Sequence, residues 1–374
     1  MLKCQQNLRS SRGPDHNRSA LSFLLFIIIV FGFVSAPRMA NACPVCTTLP
    51  ETTLADHLLA AEVIVLAGPA PDNPFKFIPV RVIKGTSEGL ERMPEIPFLI
   101  DSHTRAAFQA DPDKLILLTY GAVTKDAAGR GLSRKWTRIF SLTPDREQFL
   151  KALWTAGENW RPGKGDYPER VTFFAQYLSD KDRALRDTAL IEIDRAPYSS
   201  IQVLRNKIPV NMLLQEFATI NRLSFVPISI RLMGLQTSDD KATETVRSRY
   251  SHAMHSNSAY IYEWALSGIA VDGLPAIGVV SDALKTETLK PKSKRSLVRA
   301  LADSGTVSPA FRNRIIGIFA EVLKDDSALA MEIAIAMRDW NETQLDDQLS
   351  ALLDTENIDP ITQFIIQTKL APKD

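Results

Sequence analysis

The sequence predicts two architectures in series, a β-rich unit followed by an all-α unit, behind an N-terminal leader. Between residues 62 and 142, apolar runs of strand length are separated by turn residues. From Thr143 onward the apolar positions follow helical spacing, and Pro, Gly, Asn or Ser-Asp pairs break the segments. We therefore expect a multidomain β plus all-α fold.

Residues 1–42 have the composition of a secretory signal peptide. Basic residues precede an apolar run at 21–34, and Ala40-Asn41-Ala42 has the small-x-small pattern that signal peptidase needs. The run is shorter than the about 20 residues that a membrane-spanning helix needs. We expect cleavage after Ala42 and a periplasmic or extracellular protein. An outer-membrane lipoprotein is the alternative, because Cys43 would then be the new terminus, and only a lipidated Cys43 would make the membrane a partner.

Charge and cysteine content exclude several classes of protein. Loss of residues 1–42 changes the formal charge from +1 to −3, because that segment carries five basic residues and one acidic residue. The expected mature chain has no basic-aromatic run, so we expect no nucleic-acid partner. Of three cysteines only Cys43 and Cys46 would remain, which excludes a disulfide-framework fold. Packed apolar cores must stabilise the protein.

The β-rich unit is predicted over residues 43–145. A short helix is expected at 54–61, and Pro79 places the second strand at an edge or a bulge. Five short strands with one small helix are typical of a compact barrel. The expected strands are 63–66, 75–83, 97–100, 115–120 and 136–140.

The order of motifs in this unit resembles the barrel of netrin-like and tissue-inhibitor-of-metalloproteinase (TIMP) domains. The shared order is Cys-x-x-Cys, a short helix, a strand ending in Ala67-Gly68 and a strand ending in Lys84-Gly85. The resemblance implies a small OB-like β-barrel. It also implies a TIMP-like protease inhibitor, in which the amine and carbonyl of Cys43 would chelate a partner's zinc. Those domains tie their N-terminal cysteines to cysteines far downstream, and this sequence has none there.

Residues 146–167 are predicted to be a helix followed by a linker. Thr143-Pro144-Asp145, with Glu147 in the first turn, is a good helix start. Trp-Arg-Pro-Gly-Lys-Gly at 160–165 then interrupts the helical pattern. The second unit is accordingly predicted over residues 168–374.

One segment of this second unit has a recognisable repeat pattern. Residues 178–193 contain Asp180, Asp182 and Arg186 in an order that resembles the HEAT repeat, whose turn and second helix run Leu-x-Asp-x-Asp-x-x-Val-Arg-x-x-Ala. A weaker echo begins at Leu323. The resemblance implies a HEAT-like α-solenoid, in which Asp180 and Asp182 cap the second helix and Arg186 hydrogen-bonds into the inter-repeat turn. Solenoids present extended surfaces to protein partners.

The motif with the most evident chemistry is Cys43-Pro44-Val45-Cys46. A Cys-Pro-x-Cys pair at a helix start resembles the redox centre of thioredoxin-like oxidoreductases. That centre follows a strand inside a βαβ unit, and no such unit follows here. A local disulfide between Cys43 and Cys46 that pins the N-terminus to the barrel is the other interpretation. Haem attachment is excluded because Thr47, not histidine, follows Cys46.

Two further motifs could be either functional sites or ordinary structural features. His252 and His255 have a spacing that would let them share a metal ion on one helix face, but no glutamate lies between them, so we expect surface histidines and no metal or cofactor. Asp101-Ser102-His103 resembles part of a catalytic triad in sequence alone, and we expect a turn over residues 101–105.

The aromatic set Tyr260, Tyr262 and Trp264 is spread around one predicted helix. Burial between repeats is the expectation, and an exposed binding patch is the alternative. Taken together, the sequence predicts an exported, non-enzymatic protein-interaction or scaffold protein that uses a HEAT-like surface, with its protein partner unidentified. The alternatives are a periplasmic thiol-redox protein that uses Cys43 and Cys46, and a protease inhibitor.

Overall fold

The computed structural model describes residues 49, 53–121, 124–125, 132–160, 168–354 and 358–371. All of these belong to one compact unit that spans residues 47–374. Most of them are helical, and a small antiparallel sheet lies N-terminal to a long helical region. The predicted β plus all-α layout is therefore confirmed at this level.

The sheet contains the strands Val63–Pro69 (β1), Phe77–Lys84 (β2), Ile116–Tyr120 (β3) and Trp136–Ser141 (β6). Two short strands lie between β3 and β6 in the chain. These two, Thr124–Lys125 (β4) and Leu132–Ser133 (β5), form a separate pair. The main sheet is antiparallel, with the order β2-β1-β3-β6. The strand predicted at 97–100 is present only as a single bridge between Lys76 and Leu99.

The helices are numbered in chain order, and short 3-10 turns connect some of them. Their bounds are α1 Leu54–Ala60, α2 Ser87–Glu91, α3 Ser102–Ala110, α4 Pro144–Ala156, α5 Pro168–Ala175, α6 Arg183–Asp194, α7 Val210–Ala218, α8 Val226–Leu235, α9 Asp240–His255, α10 Ile261–Asp272, α11 Leu274–Leu284, α12 Pro291–Val307, α13 Arg312–Asp325, α14 Ala330–Trp340, α15 Asp346–Leu353 and α16 Pro360–Leu370. The helix predicted at 54–61 is confirmed. So is the helix start at Thr143, whose hydroxyl accepts from Arg146 N.

The central strand β1 is buried on both faces of the sheet. Its odd-numbered residues, such as Val65, lie in a small core with Phe108 of α3 and Trp136 of β6. Its even-numbered residues, such as Ile64, lie in a large core with Phe149 of α4. Successive side chains of a strand point to opposite faces, so one apolar run serves two cores.

The expectation of a turn at residues 101–105 is wrong, because these residues begin helix α3. Asp101 is the N-cap residue, and its Oδ1 accepts from Thr104 N at 2.8 Å. Its other carboxylate oxygen accepts from Arg138 of β6 at 3.1 Å. These bonds lower the pKa of Asp101, that from Thr104 N most. The amphipathic helix then covers the small core with Phe108.

Alternate helices of the C-terminal region contact one another in order. Helix α6 contacts α8, α8 contacts α10, and the relation continues through α12 and α14 to α16. Of the intervening helices, α9, α11 and α13 also contact in order. The large core runs from the sheet through α4 and along these helices as far as Ile366. The sheet and the helices thus share one apolar core, and the boundaries predicted at 145 and 167 stay predictions.

Two glycines lie at contacts between successive helices of the row α6-α8-α10-α12-α14-α16. A Cβ on Gly234 of α8 would lie 2.5 Å from Ser267 Cα of α10. One on Gly305 of α12 would lie 2.3 Å from a ring atom of Trp340 of α14. Real side chains do not tolerate such distances, so the absence of a side chain sets the spacing at both contacts.

A buried ion network joins α1 to α5 and to α6, the first helix of the row. Arg170 of α5 donates to Asp56 of α1 at 2.8 Å and to Glu192 of α6 at 2.6 Å, and none of the three side chains is more than 3% exposed. Arg195 adds a second cation to Asp56 at 2.5 Å. Buried charges are tolerated only when they are paired. Burial raises the pKa of Glu192, against the effect of its Arg170 partner.

Within the described ranges, no helix is both long and apolar enough to cross a bilayer. The predicted signal peptide at residues 1–42 lies outside those ranges, and so do Cys43 and Cys46. Export, lipidation and the pairing of the two cysteines therefore stay predictions.

Candidate functional site

The residues singled out by the repeat pattern lie at the start of α6. Asp182 is its N-cap residue, and Oδ1 accepts from Ala184 N at 2.8 Å. Asp180 lies two residues before the cap, and its carboxylate accepts a hydrogen bond from Asp182 N at 2.7 Å. Arg186 Nη1 donates to the carbonyl oxygen of Asp180 at 2.7 Å. Together the three side chains fix the turn that leads into α6.

Asp182 also joins this turn to α4. Arg146 donates to both carboxylate oxygens of Asp182, from Nε at 2.6 Å and from Nη2 at 3.0 Å. Such a two-point pair is stronger than a single charged hydrogen bond. The hydrogen bond from Arg146 is the main reason why the pKa of Asp182 is lowered. The contact links the first long helix after the sheet to the helical row.

The other sequence motifs separate in space. His252 and His255 are exposed near the end of α9. Tyr262 points toward α12, where its hydroxyl donates to Asp303 Oδ2 at 2.5 Å. Trp264 is only 7% exposed and stacks on Phe217 of α7. Tyr262 and Trp264 therefore contact different helices, α12 and α7 respectively.

Charged and hydroxyl side chains from four successive helices of the row form what we term the charged strip. Arg231 of α8 donates to Asp194 Oδ1, the last residue of α6, at 2.5 Å. Arg299 Nε lies 3.8 Å from Asp303 Oδ2 on α12. The members of the strip are Asp194, Arg231, Tyr262, Glu263, Arg299 and Asp303.

Two carboxyl groups of the strip are held against their ionisation. Burial raises the pKa of Glu263, and the charges of Arg231 and Arg299 offset part of this rise. Burial also raises the pKa of Asp303, which the Tyr262 hydrogen bond opposes. Burial disfavours the charged form of a carboxyl group, and nearby cations favour it. Glu263 and Asp303 are thus the two carboxyl groups of the strip whose charge is least compensated by their surroundings.

Next to the strip lies a cavity of about 870 Å³, here called the end pocket. It is bounded by the C-terminal ends of α10 and α12 and by the segment that follows α6. The last carbonyl groups of a helix lack intrahelical partners, so these helix ends present hydrogen-bond acceptors to the cavity. Its most informative lining residues are Tyr198, Arg205, Asp272, Ser304, Thr306 and Phe311.

The polar groups of the end pocket differ in how they are satisfied. Ser304 is 3% exposed, and its buried Oγ has no hydrogen-bond partner in the part of the chain that the structure describes. Arg205 donates to Gln202 Oε1 at 2.8 Å, and no described carboxylate lies within ion-pair distance of it. Asp272, by contrast, accepts from Arg247 at 2.8 Å. A ligand in this cavity would therefore meet an available guanidinium, while the Ser304 hydroxyl lies buried behind the cavity wall.

The end pocket presents groups that can form hydrogen bonds and ion pairs with a bound molecule. Hydroxyl, guanidinium and helix-end carbonyl groups can bind the amides and carboxylates of an extended segment. Among the residues described, no cluster of three or more His, Cys, Asp or Glu side chains is placed to hold a metal ion. The cavity lies within the usual size range of about 300–1,000 Å³ for ligand sites.

Sequence reasoning missed most of these residues, because they come together from separate helices. Arg205, Ser304 and Asp303 belong to no motif. A usable signal existed in α10, whose sequence is mainly apolar apart from Tyr262-Glu263 near its start. Polar residues in an otherwise buried helix point to a hydrogen-bonded or functional environment.

No family model, curated protein sequence or solved structure matches this chain.

Proposed function

We propose that this chain is a non-enzymatic interaction protein that binds a segment of a protein partner along the charged strip and into the end pocket. The observation that carries the proposal is the strip itself, which receives side chains from α6, α8, α10 and α12 in order. Surfaces built from successive helices are long enough to contact an extended partner. The Arg205 guanidinium, which has no described carboxylate partner, supplies a specific contact at one end.

The proposal includes a HEAT-like α-solenoid for the helical region. Its support is the continuous order of contacts between alternate helices and the capped turn before α6. The four-stranded sheet would be the core of the OB-like barrel implied by the netrin-like resemblance. Its role would be to support the first helices through α4 and the Arg170 network.

Export to the periplasm or the cell exterior is also part of the proposal. It rests on the apolar run at 21–34 and on Ala40-Asn41-Ala42. The N-terminal mass of the protein recovered from the producing cell tests it, since cleavage after Ala42 leaves Cys43 first. The thiol-redox and protease-inhibitor alternatives depend on Cys43 and Cys46, and no contact of the described residues favours either.

Site-specific photo-crosslinking tests the binding role. Benzoylphenylalanine replaces Arg299, whose side chain is 73% exposed within the strip. The same residue replaces Arg314, an exposed residue of α13, as the matched control. We expect a discrete crosslinked species from position 299 that is absent from position 314 and is lost with Asp303→Asn and Arg205→Gln. Equal crosslinking from both positions, or none from position 299, would contradict the proposal.

A further inference from the structure

A second cavity, here called the aromatic slot, lies where the end of α7, the start of α8, the end of α9 and the start of α10 meet. Its volume is about 360 Å³. The floor is apolar, with Val226 and Ile230 both buried. Phe217, Tyr260 and Trp264 supply aromatic walls. The slot shares no lining residue with the end pocket.

The aromatic wall has a defined geometry. The rings of Phe217 and Trp264 are nearly parallel, at 17°, and their centroids are 6.4 Å apart. This separation is too small for a third ring between them, so a guest must lie along their edges. Offset packing of this kind is the arrangement that aromatic rings favour.

Arg249 covers both rings of the wall. Its Cζ atom lies 5.7 Å from the Phe217 centroid and 6.0 Å from the Trp264 centroid. Within the described ranges, no carboxylate lies at ion-pair distance from Arg249. Arg222, which covers Phe225 in the same way at 4.2 Å, is instead paired with Glu216 at 2.5 Å. The slot thus holds a guanidinium in place without neutralising it.

The charge of the slot selects among guests. Arg249 and His252 are its ionisable lining residues apart from the Tyr260 phenol, and no acidic residue lines it. A guanidinium in a fixed planar geometry prefers a carboxylate. The apolar floor and aromatic wall prefer a ring or another large apolar group. A guest that has both groups next to each other satisfies the whole slot.

The geometry points to a peptide-binding site that takes an aromatic side chain with a carboxylate on the neighbouring residue. The aromatic ring packs on the edges of Phe217 and Trp264, and the carboxylate accepts hydrogen bonds from Arg249. Ser248 and Ser256 at the mouth supply hydroxyl groups for the peptide backbone. This site is distinct from the one proposed for the charged strip, because the slot shares no lining residue with the strip or with the end pocket.

The test uses the full chain and fluorescein-labelled decapeptide probes of Gly and Ser with a central pair of residues. The pair is Phe-Asp in the first probe, Phe-Asn in the second and Ala-Asp in the third. We expect saturable binding of the Phe-Asp probe in fluorescence anisotropy, and at least tenfold weaker binding of the other two. Absence of saturable binding up to millimolar protein, or equal binding of the three probes, overturns the proposal.

Variants then assign the binding to the slot. Arg249→Gln should weaken the Phe-Asp probe at least tenfold and leave the Phe-Asn probe unchanged, because only the former has the carboxylate. Arg314→Gln on α13 is the matched control and should change neither. Circular dichroism confirms that both variants are folded. An equal loss of affinity for both Phe probes would refute this peptide site. Stronger competition by decanoate than by the unlabelled Phe-Asp peptide would also refute it and would indicate a lipid ligand.

The result is separable from that of the charged strip. Arg205→Gln changes the end pocket and should leave binding of the Phe-Asp probe unchanged. If Arg205→Gln abolishes probe binding while Arg249→Gln does not, the peptide binds at the end pocket and the inference about the slot is wrong.

Discussion

Removal of the Arg170 guanidinium should destabilise the whole protein more than any other single change to a charged residue described above. Arg170→Met keeps most of the apolar stem and deletes the charge. Glu192 Oε2 then loses both of its Arg170 donors, Nε at 3.0 Å and Nη2 at 2.6 Å. Asp56 keeps Arg195 at 2.5 Å. One carboxylate is therefore left buried without a cation.

Breaking a buried ion pair by removal of one partner costs about 3–5 kcal/mol. The Glu192 and Arg170 side chains are both 1% exposed, so solvent does not relieve the loss. With a urea m-value of about 3 kcal/mol/M, the unfolding midpoint should fall by about 1 M or more. The large apolar core joins the sheet to the helices, so circular dichroism and tryptophan fluorescence should report one common transition.

Acid should relieve this loss, and the sign follows from the pKa of Glu192. Burial raises that pKa in the native protein, and removal of Arg170 raises it further. A carboxyl whose folded pKa exceeds its unfolded pKa loses stability as the pH rises through that interval. The gap between Arg170→Met and the natural chain should therefore be largest at pH 7 and become smaller as the pH falls.

Two companion variants make the reasoning testable. Arg170→Met with Glu192→Gln should recover part of the stability, because the buried charge is gone. Arg195→Met should cost much less, about 1 kcal/mol, since its side chain is 22% exposed and Asp56 retains Arg170. A loss below about 1 kcal/mol for Arg170→Met, or no recovery in the double variant, would refute the account of the network.

Three further outcomes follow from single contacts. Asp182→Ala removes the α6 cap and the Arg146 pair and should cost about 1–3 kcal/mol in urea unfolding at pH 7; because the folded pKa of Asp182 is lowered, the difference should vanish as acid protonates it. Glu263→Gln should stabilise the chain at pH 7, because burial raises the pKa of Glu263 and makes its ionisation unfavourable. This gain in stability should shrink as the pH falls below the ordinary pKa of a glutamate. An equal gain at pH 4 and pH 7 would contradict the prediction. Gly234→Ala should cost about 1–3 kcal/mol through overpacking. Gly317 is an exposed helical site with nothing within 4 Å of an added Cβ, so Gly317→Ala should instead stabilise the protein by up to about 1 kcal/mol. Equal shifts in the melting temperature for these two variants would disprove the close contact at Gly234.

The elements that the sequence predicted well are those whose signals are local. The apolar run at 63–66 and the Thr143 cap each depend on neighbours within a few residues. Helix α3 was missed, although Asp101 followed three residues later by Thr104 is a usable capping pattern. The short, weakly apolar segment after Asp101 resembled turn chemistry more than a helix.

What the sequence did not disclose depends on contacts between distant segments. Asp56 and Arg170 are separated by 114 positions, so no spacing rule connects them. Phe217 and Trp264 stack across helices α7 and α10, and their separation in sequence reflects loop lengths as much as packing. The strand order β2-β1-β3-β6 has the same origin, because pairing depends on the whole chain.

The glycine contacts between helices also fix the spacing of charged side chains on neighbouring helices. Gly234 sets the distance between α8 and α10, and Gly305 sets the distance between α12 and α14. Arg231 and Glu263 stand on the first pair of helices, so their separation is inherited from a backbone contact rather than from flexible side chains. A segment bound along the charged strip as proposed would therefore have to match its own charges to a spacing that the backbone sets.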